Sequence, residues 1–322
     1  MSLNERPAPR VAAVIVTHNR LEKLRQTLAR TLALPFSRVV VVDNASTDGT
    51  AAYLAALADP RLVILSEPEN AGGAGGFARG FAAAAATGAE WLVCYDDDAY
   101  PAPDALERFA ALNLGKDVGG VAAAVYFPDG RICPMNRPGA PALSLRRIAA
   151  HLLKRNVSAA GMDYAIYQRR EPVEIGFSSF VGLFIRCALV RGGLGLPWEG
   201  LFIYRDDSIY TLTLTQRGHK LLFAPSVRFV HDCRTPVAGP RVYAPLWKAY
   251  YVIRNDMPFF RRYAGRYFYF ILPALLARWL LQSRHYQERG RFLRLAWLAV
   301  TDGLRENFSR PHEEIVARAA RP

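Results

Sequence analysis

Three consecutive aspartates, Asp96, Asp97 and Asp98, close the apolar run Trp91-Leu92-Val93-Cys94-Tyr95. Like charges this close repel one another and lose hydration, so a hard divalent metal ion would neutralise them and hold them near a phosphate. A solvated acidic loop capping the helix after Pro101 and Pro103 is the competing reading. A second acidic pair, Asp206-Asp207, follows the aromatic-rich stretch Trp198-Glu199-Gly200-Leu201-Phe202-Ile203-Tyr204. A carboxylate placed there can act as a general base toward an acceptor. Asp43 ends the apolar run Val39 to Val42, where it can accept hydrogen bonds from a base or ribose, or cap the helix that follows. The stretch Asn70-Ala71-Gly72-Gly73-Ala74-Gly75-Gly76-Phe77-Ala78-Arg79-Gly80 permits close backbone approach at a helix start, with Arg79 to pair with an anion; a flexible loop is the alternative. A dinucleotide fingerprint is set aside, because its glycines should follow the first strand and these follow the third. His231 alone is more often structural than a ligand and gains weight only from its neighbours.

The elements that must position these residues follow from periodicity. Val11 to Val16 predicts a buried strand, and Leu21, Leu24, Leu28 and Leu32 a helix. Arg38 to Val42 is a second strand, whose polar exit Asp43-Asn44-Ala45-Ser46-Thr47-Asp48-Gly49-Thr50 can cap a helix over Ala51 to Leu57. Arg61 to Leu65 is a third strand, the glycine stretch leads into an alanine-rich helix, and Trp91 begins the fourth strand. This βαβαβαβ alternation predicts an α/β fold with a mainly parallel sheet and ligands at the carboxyl ends of its strands. Further on, strands are expected at Val118 to Phe127, Gly176 to Arg186, Lys220 to Ala224 and on to Asp232, with a helix from Ser208 to Gln216. Residues 131–172 are irregular and basic, with Arg146, Arg147, Lys154, Arg155, Arg169 and Arg170, and read as an acceptor region or an exposed helical face.

A chain of 322 residues can bury a sizeable core, and its 51% hydrophobic and 21% charged content is that of a globular protein. The net charge of +13 favours anionic partners: nucleotide phosphates, an anionic membrane face, or nucleic acid. Nucleic acid is the least supported, since no basic-aromatic recognition motif is present and both acidic clusters would go unexplained. Cys94, Cys133, Cys187 and Cys233 form no Cys-x-x-Cys pair, so neither a zinc site nor a disulfide framework is expected, and a reducing cytosol fits. Met1 to Arg10 has no apolar core, so no signal peptide is expected.

With these motifs assembled, the chain resembles the inverting family 2 glycosyltransferases of GT-A fold. Thr17-His18-Asn19-Arg20, Asp43-Asn44-Ala45-Ser46-Thr47-Asp48-Gly49, Asn70 with the glycines, and the aspartate triplet stand in that family's order over about residues 9 to 235. The glycine stretch and the triplet resemble the galactofuranosyltransferase branch; rhamnosyltransferases using dTDP-rhamnose share the general layout. The resemblance implies a UDP-sugar donor contacted by Thr17, Asn19, Arg20, Asp43, Asn70, Gly72, Gly73, Gly76, Phe77, Arg79, Asp96 and Asp97. It implies a divalent metal, Mn2+ or Mg2+, on Asp96, Asp98 and His231. Asp207 matches the base, Asp206 would orient it, bind an acceptor hydroxyl or start the helix, and Trp198 with Glu199 would face the acceptor. The chain lacks the additional domains of the large polymerising members, so processive extension is not expected. A module that keeps the fold without catalysis would be expected to lack aspartates, and none is missing.

Past Pro245 the composition changes. Residues 1–245 are expected to form the catalytic domain, with a donor half at about 9–100 and an acceptor half at 101–245, and 246–322 an amphipathic helical segment. Tyr267 to Ala277, bounded by Arg266 and Arg278, is shorter than the ~20 residues of a spanning helix. A helix lying in the membrane interface and a helical pair packed on the catalytic domain both fit it. A lipid-linked saccharide acceptor would account for the charge and for peripheral attachment at the cytoplasmic membrane face. A frayed tail is expected from Pro311.

Overall fold

Strands that are apolar along their whole length need cover on both faces. In the computed structural model, which describes residues 8–141, 161–233 and 242–321, the first four strands receive it. The basic positions Arg146, Arg147, Lys154 and Arg155 lie outside the described residues. β1 (Val11–Thr17), β2 (Arg38–Asp43), β3 (Leu62–Ser66) and β4 (Trp91–Asp96) run parallel in the order β3-β2-β1-β4, joined by α1 (Leu21–Leu32), α2 (Thr50–Ala55) and α3 (Gly72–Ala86). Side chains alternate across a strand. Ala12, Val14 and Val16 therefore meet Phe77 and Phe81 of α3, while Val11, Ala13 and Ile15 meet Leu24 and Leu28 of α1.

The second half extends the same sheet in mixed directions. β5 (Ala99–Pro101), α4 (Ala105–Ala110), β6 (Val118–Tyr126), β7 (Val173–Ile175), β8 (Leu183–Arg186), α5 (Cys187–Arg191), α6 (Asp206–Gln216) and β9 (Lys220–His231) complete the order β3-β2-β1-β4-β8-β6-β9-β5, with β7 also on β9. The strand expected from Gly176 to Arg186 is extended only from Leu183, because Gly182 takes φ +68° and interrupts the run. β9 runs on as one strand from Lys220 to His231, as expected. It shifts register against β6 between Ala224 and Arg228, an irregularity that accommodates Pro225 and carries the strand on to His231. α6 begins two residues earlier than expected, which puts both Asp206 and Asp207 in its first turn.

α7 (Trp247–Ala264) is buried from Ala249 to Phe259. Its Phe259 and Tyr263 share a cluster with Phe177, Leu201, Ile209 and Leu212 of the preceding region. α8 (Phe268–Gln282), α9 (Arg289–Leu304) and α10 (His312–Ala320) follow; Phe292, Leu295, Ala299 and Ile315 pack with Tyr250 and Ile253 of α7. No helix of the described residues is long and apolar enough to cross a membrane. α10 places the expected frayed tail in a helix, with Ile315 fully buried.

Candidate active site

The members of the aspartate triplet differ in their contacts because the end of β4 turns into β5. Asp97 is buried and its carboxylate is occupied: Thr17 Oγ1 donates to it at 2.8 Å and Arg20 Nη1 at 3.2 Å, while Thr27 Oγ1 donates to its backbone carbonyl at 2.7 Å. Burial pushes Asp97 up to about 6 against the pull of Arg20 and Thr17. Thr17, Arg20 and Asp97, expected at the donor, hold one another in this structure.

Asp98 receives Arg20 Nη1 at 2.7 Å and His231 Nε2 at 3.2 Å. Burial alone would raise Asp98, yet His231 and Arg20 hold it below the ordinary carboxylate value. The antiparallel pairing of β5 with β9, which sets Ala99 opposite His231, is what brings the distant histidine to the triplet. Asp96, Asp98 and His231 offer ligand atoms that all lie within 4.8 Å of one another. Burial first, then the nearby Asp98 charge, pushes Asp96 up to about 7. Burial would lower His231, but Asp98, Cys233 and Asp96 push it up to about 10. Two carboxylates and one imidazole, crowded together, form a donor set suited to a hard or borderline divalent ion such as Mn2+ or Mg2+.

The donor-side loops are tied by Asn44. Its Nδ2 donates to Asn70 Oδ1 at 3.0 Å and to the Gly72 carbonyl at 2.9 Å, and its Oδ1 accepts from the Ala71 amide at 3.1 Å. Asn70 Oδ1 also accepts from the Gly72 amide at 2.9 Å. Asp43, buried at the end of β2, accepts the Ser46 amide on Oδ1 at 2.9 Å, which closes the loop before α2. Asn19 is exposed at φ +52°, and its Oδ1 accepts the Thr47 amide at 2.6 Å.

The glycines are not a loop before a helix; from Gly72 on they are the helix. A Cβ on Gly76 would meet Val16 Cγ1 at 2.5 Å and one on Gly80 would meet Val14 Cγ1 at 2.3 Å, so these two let α3 lie close on β1. Phe77 is likewise turned into the core, 4.9 Å from the Phe180 ring. Gly76 and Phe77, expected at the donor, pack against β1 and Phe180 here. Gly72 and Gly73 begin the helix, and at Gly73 nothing lies within 4 Å of an added Cβ.

The acceptor side is built on residues 199–205. Phe202, Tyr204 and Arg205 all take positive φ, at +63°, +68° and +67°. Non-glycine residues rarely adopt this backbone, and it persists where surrounding contacts impose it. Asn255 on α7 imposes it here: its Nδ2 lies 3.0, 2.9 and 2.8 Å from the carbonyls of Leu201, Ile203 and Tyr204. Arg254 Nη2 donates to the Gly200 and Leu201 carbonyls at 2.9 Å each, and Arg205 is paired with Asp256 at 2.7 Å. Delivered from this loop, Asp206 is buried and Asp207 half-buried. Burial, then the charge of Asp207, raises Asp206 well above the usual carboxylate range, and Asp96 adds to it, so the two acidic groups share one electrostatic environment. Burial also raises Asp207, against hydrogen bonds from Ser208.

Trp198 packs against Phe308 with the rings tilted, their centres 4.3 Å apart, and Glu199 is exposed, 3.8 Å from Arg79 Nη2. Arg79 also reaches Glu67 at 3.6 Å, so it bridges donor and acceptor sides. Residues that sequence reasoning passed over are Asn44, Asn136, Arg254, Asn255 and Asp256. The last three carry a legible signal, a polar triplet inside an aromatic helix. Cys133 and Cys233, for which no metal site was expected from their spacing, offer ligand atoms with His231 within 4.8 Å of one another.

The family described as "Glycosyl transferase family 2" matches residues 12–174. Galactofuranosyltransferase GlfT1 of Mycobacterium tuberculosis is 39% identical over 226 residues, 69% of this chain and 70% of that protein. Galactofuranosyltransferase GlfT1 of Mycolicibacterium smegmatis is 28% identical over 244 residues, 72% of this chain and 76% of that protein. Among solved structures, GalNAc-T7 with UDP, GalNAc and Mn2+ superposes with a TM-score of 0.60 at 16% identity, over 85% of this chain and 52% of that one. That likeness concerns the fold, which is GT-A.

Proposed function

The chain belongs to glycosyl transferase family 2, and from that premise we propose that it is a metal-dependent enzyme moving galactofuranose from UDP-galactofuranose onto a lipid-linked saccharide in cell-envelope polysaccharide synthesis. The observation that carries the reading is the convergence of Asp96, Asp98 and His231, with a second acidic pair, Asp206 and Asp207, in the same electrostatic environment. The donor sugar is supported by the relatives named as galactofuranosyltransferases.

Asp96, Asp98 and His231 would hold a divalent ion, which would supply neutralisation of the departing nucleoside diphosphate, worth several kcal/mol. Asp43 meets the base or ribose through the carboxylate oxygen not used by Ser46. Asp207, the more exposed of its pair, takes the proton of the acceptor hydroxyl from within ~3 Å. Asp206, whose carboxyl is raised well above the usual range by burial and by the charge of Asp207, stands beside it at the start of α6. Direct displacement inverts the anomeric carbon. Trp198 and Glu199 line the acceptor approach, and the protein lies peripherally on the cytoplasmic membrane face through α8.

The test is a donor screen with Mn2+ and a polyprenol-linked saccharide, read by product mass. Addition of galactofuranose from UDP-galactofuranose is expected. Transfer from dTDP-rhamnose alone would move the reading to a rhamnosyltransferase, and UDP binding without transfer from any donor would make the chain a non-catalytic module.

A further inference from the structure

Asn136 is buried in the 3-10 turn Pro134–Asn136, on a segment with no sequence motif, and its side chain is fully engaged. Nδ2 donates to Ser179 Oγ at 2.9 Å, and Oδ1 lies 2.8 Å from His231 Nδ1. With Nδ2 used by Ser179, the atom presented to the ring is an acceptor, which a protonated Nδ1 satisfies. The other ring nitrogen, Nε2, points to Asp98. We propose that Asn136 is a positioning residue for metal binding: it fixes His231 with Nδ1 protonated and Nε2 turned toward Asp96 and Asp98. The inference rests on the reading of His231 as a metal ligand.

Its physical basis is general. A ligating histidine whose second nitrogen donates to a fixed acceptor is held in one tautomer and one ring orientation, and loss of that partner weakens metal binding by about 10–100-fold. Asn136 is itself held, through the Ser179 contact and its own amide, which donates to the Cys133 carbonyl at 3.2 Å. The ring is thus braced from both sides, by β5 and Asp98 on one and by the turn after β6 on the other.

The experiment measures Mn2+ affinity of the full chain by electron paramagnetic resonance, with and without UDP, for Asn136→Ala, Asn136→Asp, His231→Ala and the double variant Asn136→Ala/His231→Ala. Asn136→Ala is expected to weaken Mn2+ binding about 10–100-fold. Asn136→Asp, which keeps an acceptor for Nδ1–H, should restore it, and the double variant should bind no worse than His231→Ala. Unchanged Mn2+ affinity in His231→Ala would overturn the metal reading itself. Loss in His231→Ala with none in Asn136→Ala, or losses that add in the double variant, would overturn the role of Asn136 while leaving that reading intact. Should Asn136→Ala fail to fold, the 15N shifts of His231 in the Mg2+-loaded wild-type protein decide: a protonated Nδ1 is expected, and an unprotonated one overturns the proposal.

Discussion

The carbonyl oxygen of Phe202 occupies the place where residue 72 would carry its Cβ: an added methyl there would lie 2.1 Å from it. The same carbonyl accepts the Ala74 amide at 3.0 Å. The acceptor-side loop thus caps the first turn of the glycine helix on the donor side. Only a residue without a side chain, at φ +72°, allows the two to meet. Gly72→Ala must push the loop away and strain its own backbone. It should cost about 1–3 kcal/mol, read as a fall in Tm, with a drop in kcat larger than that in the neighbouring Gly73→Ala.

Asn255 is the counterpart of that contact on the other side of the loop. Asn255→Leu leaves the carbonyls of Ile203 and Tyr204 without their side-chain donor, while that of Leu201 keeps Arg254 Nη2. Each unsatisfied buried group costs about 1–3 kcal/mol, so relaxation of the loop from its positive-φ form is the expected response. Transfer should fall by more than tenfold with donor KM little changed, because the loop carries Asp207 rather than the donor contacts. A matching loss of UDP affinity would argue against this role.

Asp207→Asn keeps the size of the side chain and the capping contact from Ser208 but cannot accept a proton. General-base loss typically costs 10²–10⁴-fold in rate. Turnover should fall by about that factor while UDP binding by calorimetry stays at the wild-type value; normal turnover would exclude Asp207 as the base.

The parts of this arrangement that were legible in the sequence share one property: they are local. Strands β1 to β4 announce themselves as apolar runs, and the polar residues at their carboxyl ends are contiguous with them. The separation of Asp97 from Asp96 and Asp98 was legible from strand alternation, but its partners were not, because Thr17 and Arg20 come from another strand end. Gly76 and Gly80 show the same limit, since a glycine that admits a neighbouring strand and one that admits a phosphate look alike in a sequence. Asn136 depends on a turn whose approach to His231 is set by the pairing of β6 with β9.

Acidity tests the metal site from a different direction. Without metal, Asp96 is held up at about 7 and His231 at about 10, so over the range from ordinary carboxylate values to about 10 the folded chain binds protons that the unfolded chain has released. Stability then falls as pH rises through that window. Asp98, held low, acts oppositely and contributes stability that is lost only in acid. Thermal unfolding in EDTA should therefore show Tm declining from pH 5 to pH 9. Saturating Mn2+ should reverse the slope, because the ion binds the deprotonated ligands. A slope unaffected by Mn2+ would remove Asp96, Asp98 and His231 from metal binding.

Membrane attachment is testable at α8 without dismantling the protein. Deleting everything from Tyr267 would also remove α9 and α10, whose Phe292, Leu295, Ala299 and Ile315 cover α7, so the clamp on the acceptor loop would be lost too. Point substitution avoids this. On α8, Phe268, Leu275 and Trp279 are buried, while Tyr269 at 69%, Phe270 at 82%, and Leu280 and Leu281 at 53% each face outward. Exposed apolar side chains flanked by arginines are the composition of a helix lying in an anionic interface. Phe270→Ser with Leu281→Ser should reduce sedimentation with phosphatidylglycerol vesicles by about tenfold or more. Tm and transfer to a water-soluble acceptor should not change, since neither side chain packs inside the protein. Unchanged vesicle binding would assign that face to a partner other than lipid.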